Sequence, residues 1–169
     1  MVAKEYMEGY EFKECSNLHT INLSNCQYFG RQAFENCSNL EHIGDLKKTK
    51  LLSARVFCKC TKLAIDVNMP DFGNYTSKDA HGYLRATVNG NTPAEMYSTR
   101  GLNTVFYKSG IISVSNLGSI ITEIANGAYV AELSGYVGAF NACANLRFVI
   151  LPSQLTSIGM YAFSDDTAL

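Results

Sequence analysis

The chain has 169 residues and a formal net charge of −1, with 47% hydrophobic and 17% charged residues. This balance excludes a general electrostatic attraction to nucleic acid, and the apolar content excludes a disordered chain. No apolar run is long enough to insert into a membrane. Glutamates interrupt residues 1–20, where a signal peptide would carry its apolar segment. The length suits one domain, or one segment of a longer array.

A short unit recurs along the chain. In each copy a phenylalanine is followed by cysteine three residues later and by leucine six residues later, as at Phe12, Phe34, Phe57 and Phe140. The first three phenylalanines are 22 and 23 residues apart, and Phe163 again follows Phe140 by 23. A fixed period of this length is typical of repeat proteins, in which stacked coils bury each other's apolar faces.

Residues 140–163 carry the full pattern, FxxCxxLxxIxLPxxLxxIGxxAF, nearly throughout. Residues 12–46 fit it well, 57–67 in part and 106–129 loosely. The pattern resembles that of the BspA-like (treponemal-type) leucine-rich repeat family. Together with the period, this resemblance implies an α/β leucine-rich-repeat solenoid, a right-handed superhelix rich in short strands. Because the segment Gly-x-x-Ala-Phe-x-x-Cys lacks strand alternation, we expect short helical turns there.

The repeat also predicts the core. Seven positions are expected to be buried: Phe34, Leu40, Ile43, Phe140, Leu146, Leu151 and Ile158. Met7 and Leu169 are core-type residues near the two ends, so both ends are expected to expose apolar coil edges. Natural solenoids cover such edges with polar caps. The isolated chain is therefore expected to self-associate end to end or to require further coils.

Five of the six cysteines fall on repeat positions, namely Cys15, Cys26, Cys37, Cys60 and Cys143. We expect these to be buried, reduced and inert, because a buried free cysteine packs as a small hydrophobe. Cys58 is outside the pattern and is expected to be the accessible thiol. One cysteine per coil does not form the paired spacing of a zinc site. No metal and no cofactor are predicted.

The regular pattern fails between about 68 and 105, where proline, glycine and Asn-Gly punctuate the chain. We interpret this stretch as an insertion in a single solenoid segment of residues 1–169, with a small hairpin at 86–91. A second, shorter irregularity spans 130–139. The insertion holds Tyr75, Tyr83, Tyr97 and Arg100, which supply amphipathic contact area and a planar donor fork. These are the predicted binding residues.

His19 and His42 occupy neighbouring repeat positions and compete as a binding surface on an exposed strand face. His19 follows Leu18 by one residue, and His42 follows Leu40 by two. No P-loop, dinucleotide-binding glycine motif, HExxH or nucleophile motif occurs. The sequence therefore predicts no catalytic residue.

The function that we predict is a non-catalytic interaction module, because repeat arrays present long fixed surfaces to other macromolecules. The resemblance implies adhesion to a host or cell-surface macromolecule, either a protein or a glycan-bearing one. It also implies a cell-surface or secreted bacterial protein; a complete chain without a signal would be cytoplasmic. The alternatives are a hydrolase-type enzyme with its site in the 68–105 insertion, and a structural piece of a larger assembly.

Overall fold

The structure, a computed structural model, describes residues 4–74 and 104–169. Ten short strands lie in these ranges: Tyr6–Met7 (β1), Tyr28–Phe29 (β2), Leu51–Leu52 (β3), Asp66–Asn68 (β4), Ser113–Asn116 (β5), Glu123–Ile124 (β6), Ala128–Val130 (β7), Gly135–Val137 (β8), Phe148–Val149 (β9) and Ser157–Ile158 (β10). A single 3-10 helix in the described residues, Ala131–Leu133, joins β7 to β8. Across both described ranges, no helix has the length and apolar character needed to cross a membrane.

The strands pair mainly between equivalent positions of different coils. Three sheets are parallel, with the orders β1-β2-β3, β4-β5-β9 and β6-β10. In the first sheet Met7, Phe29 and Leu52 are Cα partners, and each stands five residues before a repeat phenylalanine. Each repeat therefore contributes short strands that continue the ladders of its neighbours.

The repeat phenylalanines form one continuous column of stacked rings. It runs Phe12, Phe34, Phe57, Phe106, Phe140, Phe163. Successive ring centroids are 5.2–5.9 Å apart, and no pair is tilted by more than 12°. Phe57 contacts Phe106 directly, although 49 positions separate them in the sequence. We call these six residues the phenylalanine column.

The helical turns expected around these rings are barely present. In the second coil Gln32 and Asn36, two residues before and after Phe34, have φ of 57° and 62°. The amides of Phe34 and Asn36 donate to the carbonyl oxygens of Val56 and Cys58 in the next coil, at 3.0 and 2.8 Å. A helix would send both amides backwards within its own coil. Left-handed residues instead turn them toward the neighbouring coil, which is why the predicted helical turns are barely present.

The glycine of the Gly-x-x-Ala-Phe motif is explained by the close approach of adjacent coils. A Cβ on Gly30 would lie 2.3 Å from the backbone nitrogen of Gly9, and one on Gly159 would lie 2.2 Å from that of Asn126. Real Cβ atoms do not approach backbone so closely. The missing side chain therefore allows neighbouring coils to exchange backbone hydrogen bonds at this point.

Five of the seven predicted core residues are fully buried: Phe34, Leu40, Ile43, Phe140 and Leu146. Leu151 and Ile158 are not; they are 43% and 49% exposed. Both belong to the last coil of the sequence, and no further coil within residues 4–74 and 104–169 packs on it. Both ends were expected to expose apolar coil edges. This was wrong at Met7, which is only 2% exposed, whereas Leu169 is 55% exposed. In the coil that begins at Phe106, Ile111 is fully buried, whereas Ile112 is 37% exposed.

The cysteines also depart from expectation at two positions. Cys58 is fully buried rather than accessible, because it lies beside the buried side chains of Glu35 and Arg55. Burial raises the pKa of its thiol to about 12. Cys15, expected to be buried, is exposed. The predicted burial of Cys26, Cys37, Cys60 and Cys143 is confirmed.

The exposure of Cys15 follows from how the repeat cysteines are held. The thiols of Cys37, Cys60 and Cys143 each donate to the carbonyl oxygen of the column phenylalanine in the preceding coil, at 2.9–3.1 Å. Cys15 lies in the first coil of the phenylalanine column, so no earlier column residue offers it a carbonyl. All six thiols are free.

Asp166 takes the cysteine position in the last coil. Its Oδ1 accepts a hydrogen bond of 2.8 Å from the Cys143 amide, while the buried Oδ2 has no hydrogen-bond partner within the described residues. Burial raises the pKa of this carboxyl to about 6. The last coil therefore has a partly buried carboxyl group at the position where a repeat cysteine stands in other coils.

Candidate functional site

A β-hairpin interrupts the parallel ladders between β6 and Phe140. Its strands β7 and β8 are antiparallel, with Ala128 opposite Val137 and Tyr129 opposite Tyr136. The connecting 3-10 helix ends at Ser134, whose φ of 55° lets the chain turn back. Val137 is 1% exposed and joins the hairpin to the buried interior. The hairpin coincides with the shorter irregularity that the sequence predicts at 130–139.

Three tyrosine rings lie together on this hairpin and the last coil. Tyr129 and Tyr136 meet edge to face, with centroids 5.6 Å apart and planes at 71°. Tyr136 stacks on Tyr161 with centroids 5.4 Å apart and planes at 16°. The three residues are 61%, 58% and 43% exposed. We call them the tyrosine cluster.

The tyrosine cluster combines exposure with fixed geometry. Aromatic rings left in water at a contiguous patch commonly mark a surface that a partner covers. Each ring here is held by at least one other ring, so little side-chain freedom is lost on binding. Tyrosine is also enriched among the residues that dominate protein interfaces. The cluster is therefore suited to contact a macromolecular surface.

A network of charged side chains connects the hairpin to the coils. Arg55 Nε donates to Glu35 Oε1 at 3.1 Å, and Arg55 Nη2 makes a second, closer contact with the same oxygen. Both side chains are only 5% exposed. Arg55 Nη1 lies 3.6 Å from Oε2 of Glu132, which is in the hairpin's 3-10 helix. Gln32 donates to the other oxygen of Glu35.

The pKa values of this network follow from its contacts. Burial lowers the pKa of Arg55, but the hydrogen bond and charge of Glu35 more than offset it, so the pKa is raised overall. A hydrogen bond to its own backbone amide, followed by the charge of Arg55, lowers the pKa of Glu132. Both groups are therefore charged at neutral pH, and Arg55 attracts the loop that carries the tyrosine strands.

A small groove separates the hairpin from the coil turns. It has a volume of about 240 Å³ and is lined by Arg31, Thr104 and Val130 among others. Small-molecule pockets typically have volumes of about 300–1,000 Å³. The groove is below that range, so the geometry favours an open contact surface over an enclosed ligand pocket.

The two predicted histidines are exposed but do not stand opposite each other. The Cα partner of His42 is Thr20, while His19 accepts hydrogen bonds through its carbonyl oxygen from the amides of Glu41 and His42. They are thus one residue out of register. His42 lines an open groove of about 630 Å³ with Glu41 and Lys62, whose charged atoms are 4.0 Å apart. His19 is not among its lining residues.

Within residues 4–74 and 104–169, no group of three or more His, Cys, Asp or Glu side chains is placed to hold a metal ion. The predicted binding residues Tyr75, Tyr83, Tyr97 and Arg100 lie outside the described residues, as does the hairpin predicted at 86–91. Their part in recognition stays a prediction.

The tyrosine cluster was not predicted from the sequence. A local signal exists: the similar triplets Ala128-Tyr-Val and Gly135-Tyr-Val are separated by only four residues. Two such β-rich triplets with a turn between them are typical of a hairpin that places both tyrosines on one face. Tyr161 could not be added in this way, because it reaches the cluster through the stacking of coils rather than through local sequence.

Comparison with known proteins agrees with the repeat geometry. A family model described as the BspA type leucine rich repeat region matches six copies, over residues 3–80 and 136–169. The crystal structure of a T. pallidum leucine rich repeat protein superposes with a TM-score of 0.52 at 19% identity, covering 97% of this chain and 71% of that chain. The curated proteins gave no match. Since the family model matches well over half of its residues, this chain belongs to the BspA type leucine-rich repeat family.

Proposed function

We propose that this chain is a non-catalytic interaction module that binds a partner protein through the tyrosine cluster. The observation that carries the proposal is the stack of three exposed rings, Tyr129, Tyr136 and Tyr161, held between the hairpin and the last coil. Repeats of this family are typically found in interaction modules without catalytic activity. The exposed rings give such a module a defined place to contact its partner.

The coils supply the frame for this surface. We propose that the coils form a right-handed solenoid; the parallel ladders and the phenylalanine column support their stacking, in which each coil is fixed by its neighbours. Arg55 then holds the hairpin against this frame through Glu132. The partner thus meets rings that are already arranged, which lowers the entropy lost on association.

The family resemblance supports adhesion as the biological role, with a host or cell-surface macromolecule as the partner and the cell surface or the secreted fraction as the location. Two other surfaces compete with the tyrosine cluster as the recognition site. One is the segment with Tyr75, Tyr83, Tyr97 and Arg100, and the other is the strand face with His19 and His42. Mutations distinguish the three surfaces, because each hypothesis predicts loss of binding on mutation of a different surface.

The test is binding of purified extracellular-matrix proteins to the immobilised chain, measured by surface plasmon resonance. Replacing Tyr136 with serine is expected to weaken binding about 30-fold, as loss of an interface hot spot of about 2 kcal/mol does. Tyr10→Ser is the matched control. Tyr10 occupies the same repeat position as Tyr161, has a positive φ and is 53% exposed, but lies at the other end of the chain.

Equal affinity of the Tyr136→Ser variant and the native chain would refute the tyrosine cluster as the site. A second variant, with residues 73–98 replaced by a short Gly/Ser linker, separates the alternatives. Loss of binding in that variant alone, with an unchanged thermal melt, would assign recognition to the predicted insertion. Failure of every matrix protein to bind the native chain would contradict the adhesive role.

A further inference from the structure

One coil in the middle of the array is a residue shorter than its neighbours. The inward leucine follows the column phenylalanine by six residues in the coils of Phe12, Phe34, Phe57 and Phe140. Ile111 follows Phe106 by only five residues, yet it is fully buried like Leu63 and Leu146. Because both the ring and the inward residue keep their places, the missing residue belongs to the turn between them.

The shortened turn lies close against the preceding coil. Where the second coil has the two residues Ser38-Asn39, the short coil has Gly110 alone. The Gly110 amide donates to the carbonyl oxygen of Cys60 at 3.0 Å, and a Cβ on Gly110 would lie 2.4 Å from the carbonyl oxygen of Thr61. The turn has no room for a side chain there, so it leaves a gap in the row of turns.

The gap leaves an asparagine of the following coil without its usual contact. Asn39 and Asn145 each stand five residues after their column phenylalanine. Asn39 Nδ2 donates to the carbonyl oxygen of Ser16 in the preceding coil at 2.8 Å. The Asn145 side chain makes no hydrogen bond to any described residue. Its amide donors and its carbonyl acceptor are therefore available to a ligand.

Asn145 lines the same open groove of about 630 Å³ as His42. Thr61 and Lys62 line it from the coil that precedes the short one, and no described residue of the short coil is among its lining residues. The groove therefore passes over the shortened turn and joins the coils on either side of it. Its volume is within the range of about 300–1,000 Å³ that is typical of small-molecule pockets.

The groove offers hydrogen bonds without net charge. The Lys62 ammonium lies 4.0 Å from the Glu41 carboxylate, so these two formal charges offset each other. Lys62 supplies donors, Glu41 supplies acceptors, and Asn145 supplies both. The imidazole of His42 also has one donor and one acceptor when it is neutral. The lining therefore favours a neutral ligand that can donate and accept hydrogen bonds at several points.

We propose that this groove binds a sugar residue of a neutral carbohydrate. Every sugar hydroxyl both donates and accepts hydrogen bonds, which matches the mixed lining, and the C–H faces of the ring can pack on Ala64 and Ile65. An ionic ligand would gain no net attraction from the paired Lys62 and Glu41. The groove shares no residue with the tyrosine cluster, so this inference goes beyond the proposed function and does not depend on it.

Binding of the 169-residue chain to an array of immobilised oligosaccharides tests the proposal. The array carries neutral glycans that end in glucose, galactose, mannose or N-acetylglucosamine, together with sialylated and sulfated glycans. We expect retention on a neutral glycan, and Asn145→Ala is expected to weaken it about tenfold through the loss of hydrogen bonds. Asn39→Ala is the matched control and is expected to bind like the native chain, because Asn39 has the same repeat position but does not line the groove.

A second variant fills the gap. Replacing Gly110 with the dipeptide Ser-Asn restores the six-residue spacing of the other coils and is expected to abolish retention. If that variant fails to fold, the comparison of Asn145→Ala with Asn39→Ala still decides. The proposal is overturned if no neutral glycan is retained, if acidic glycans are retained more strongly, if the folded Ser-Asn variant binds like the native chain, or if the two alanine variants lose binding equally. Tyr136→Ser is expected to leave sugar binding unchanged, so this proposal and that of the tyrosine cluster fail separately.

Discussion

The phenylalanine column makes a quantitative prediction about stability. Phe106 is fully buried and stacks between Phe57 and Phe140, with centroids 5.9 and 5.6 Å away. Truncating a buried phenylalanine to alanine typically costs about 3–5 kcal/mol. Because Phe106 loses ring contacts on both sides, we expect Phe106→Ala to lower the free energy of unfolding by about 4–5 kcal/mol.

The control is the same truncation at the end of the column. Phe163 is only partly buried and stacks on one ring, that of Phe140, at 5.2 Å. We therefore expect Phe163→Ala to cost roughly half as much, about 1.5–2.5 kcal/mol. Urea unfolding followed by far-UV circular dichroism measures both. Equal losses for the two variants, or less than about 2 kcal/mol for Phe106→Ala, would refute the reasoning.

Three further outcomes follow from the structure. Arg55→Met leaves the buried Glu35 carboxylate without its positively charged partner and is expected to cost about 3–5 kcal/mol in urea unfolding; replacing both residues with methionine should recover most of that loss. In mass-spectrometric thiol labelling of the native chain, Cys15 is expected to react first and Cys58 to stay protected, because burial raises the Cys58 pKa to about 12. The folded chain binds the Asp166 proton more tightly than the unfolded chain, since the folded pKa of about 6 exceeds the ordinary 3.8. This contribution to stability is therefore full below pH 4 and lost as pH rises to about 6, and Asp166→Asn should remove it from the pH dependence of the melting temperature.

The family, the ring column and most of the core could be predicted because they depend on a residue's place in its own repeat. Phe34 and Leu40 are buried by whichever coils stand on either side. The turns could not be predicted in the same way. Gln32 and Arg55 have positive φ without being glycine, and the amides two residues after them, those of Phe34 and Phe57, donate to the carbonyl oxygens of Val56 and Val105 in the next coil.

The errors at individual side chains have a common physical origin. Cys58 is buried by an ion pair that joins two coils, and the exposure of Ile158 depends on whether another layer covers it. The tyrosine cluster likewise needs Tyr161 to meet a hairpin that precedes it by about 25 residues. Each of these depends on contacts across coils. The repeat pattern encodes the stacking itself but not which particular side chains meet across it.

The direct contact between Phe57 and Phe106 has a consequence for how the chain can vary. Loop-closure entropy grows only with the logarithm of loop length, so lengthening the connection between two rings from 23 to 49 residues adds only about 0.7 kcal/mol of closure cost. A ring lost from the column costs several times more. Insertions and deletions between the rings are therefore far less restricted than substitutions of the rings. Natural variants are expected to differ in length between positions 57 and 106 while the ring spacing on either side stays constant.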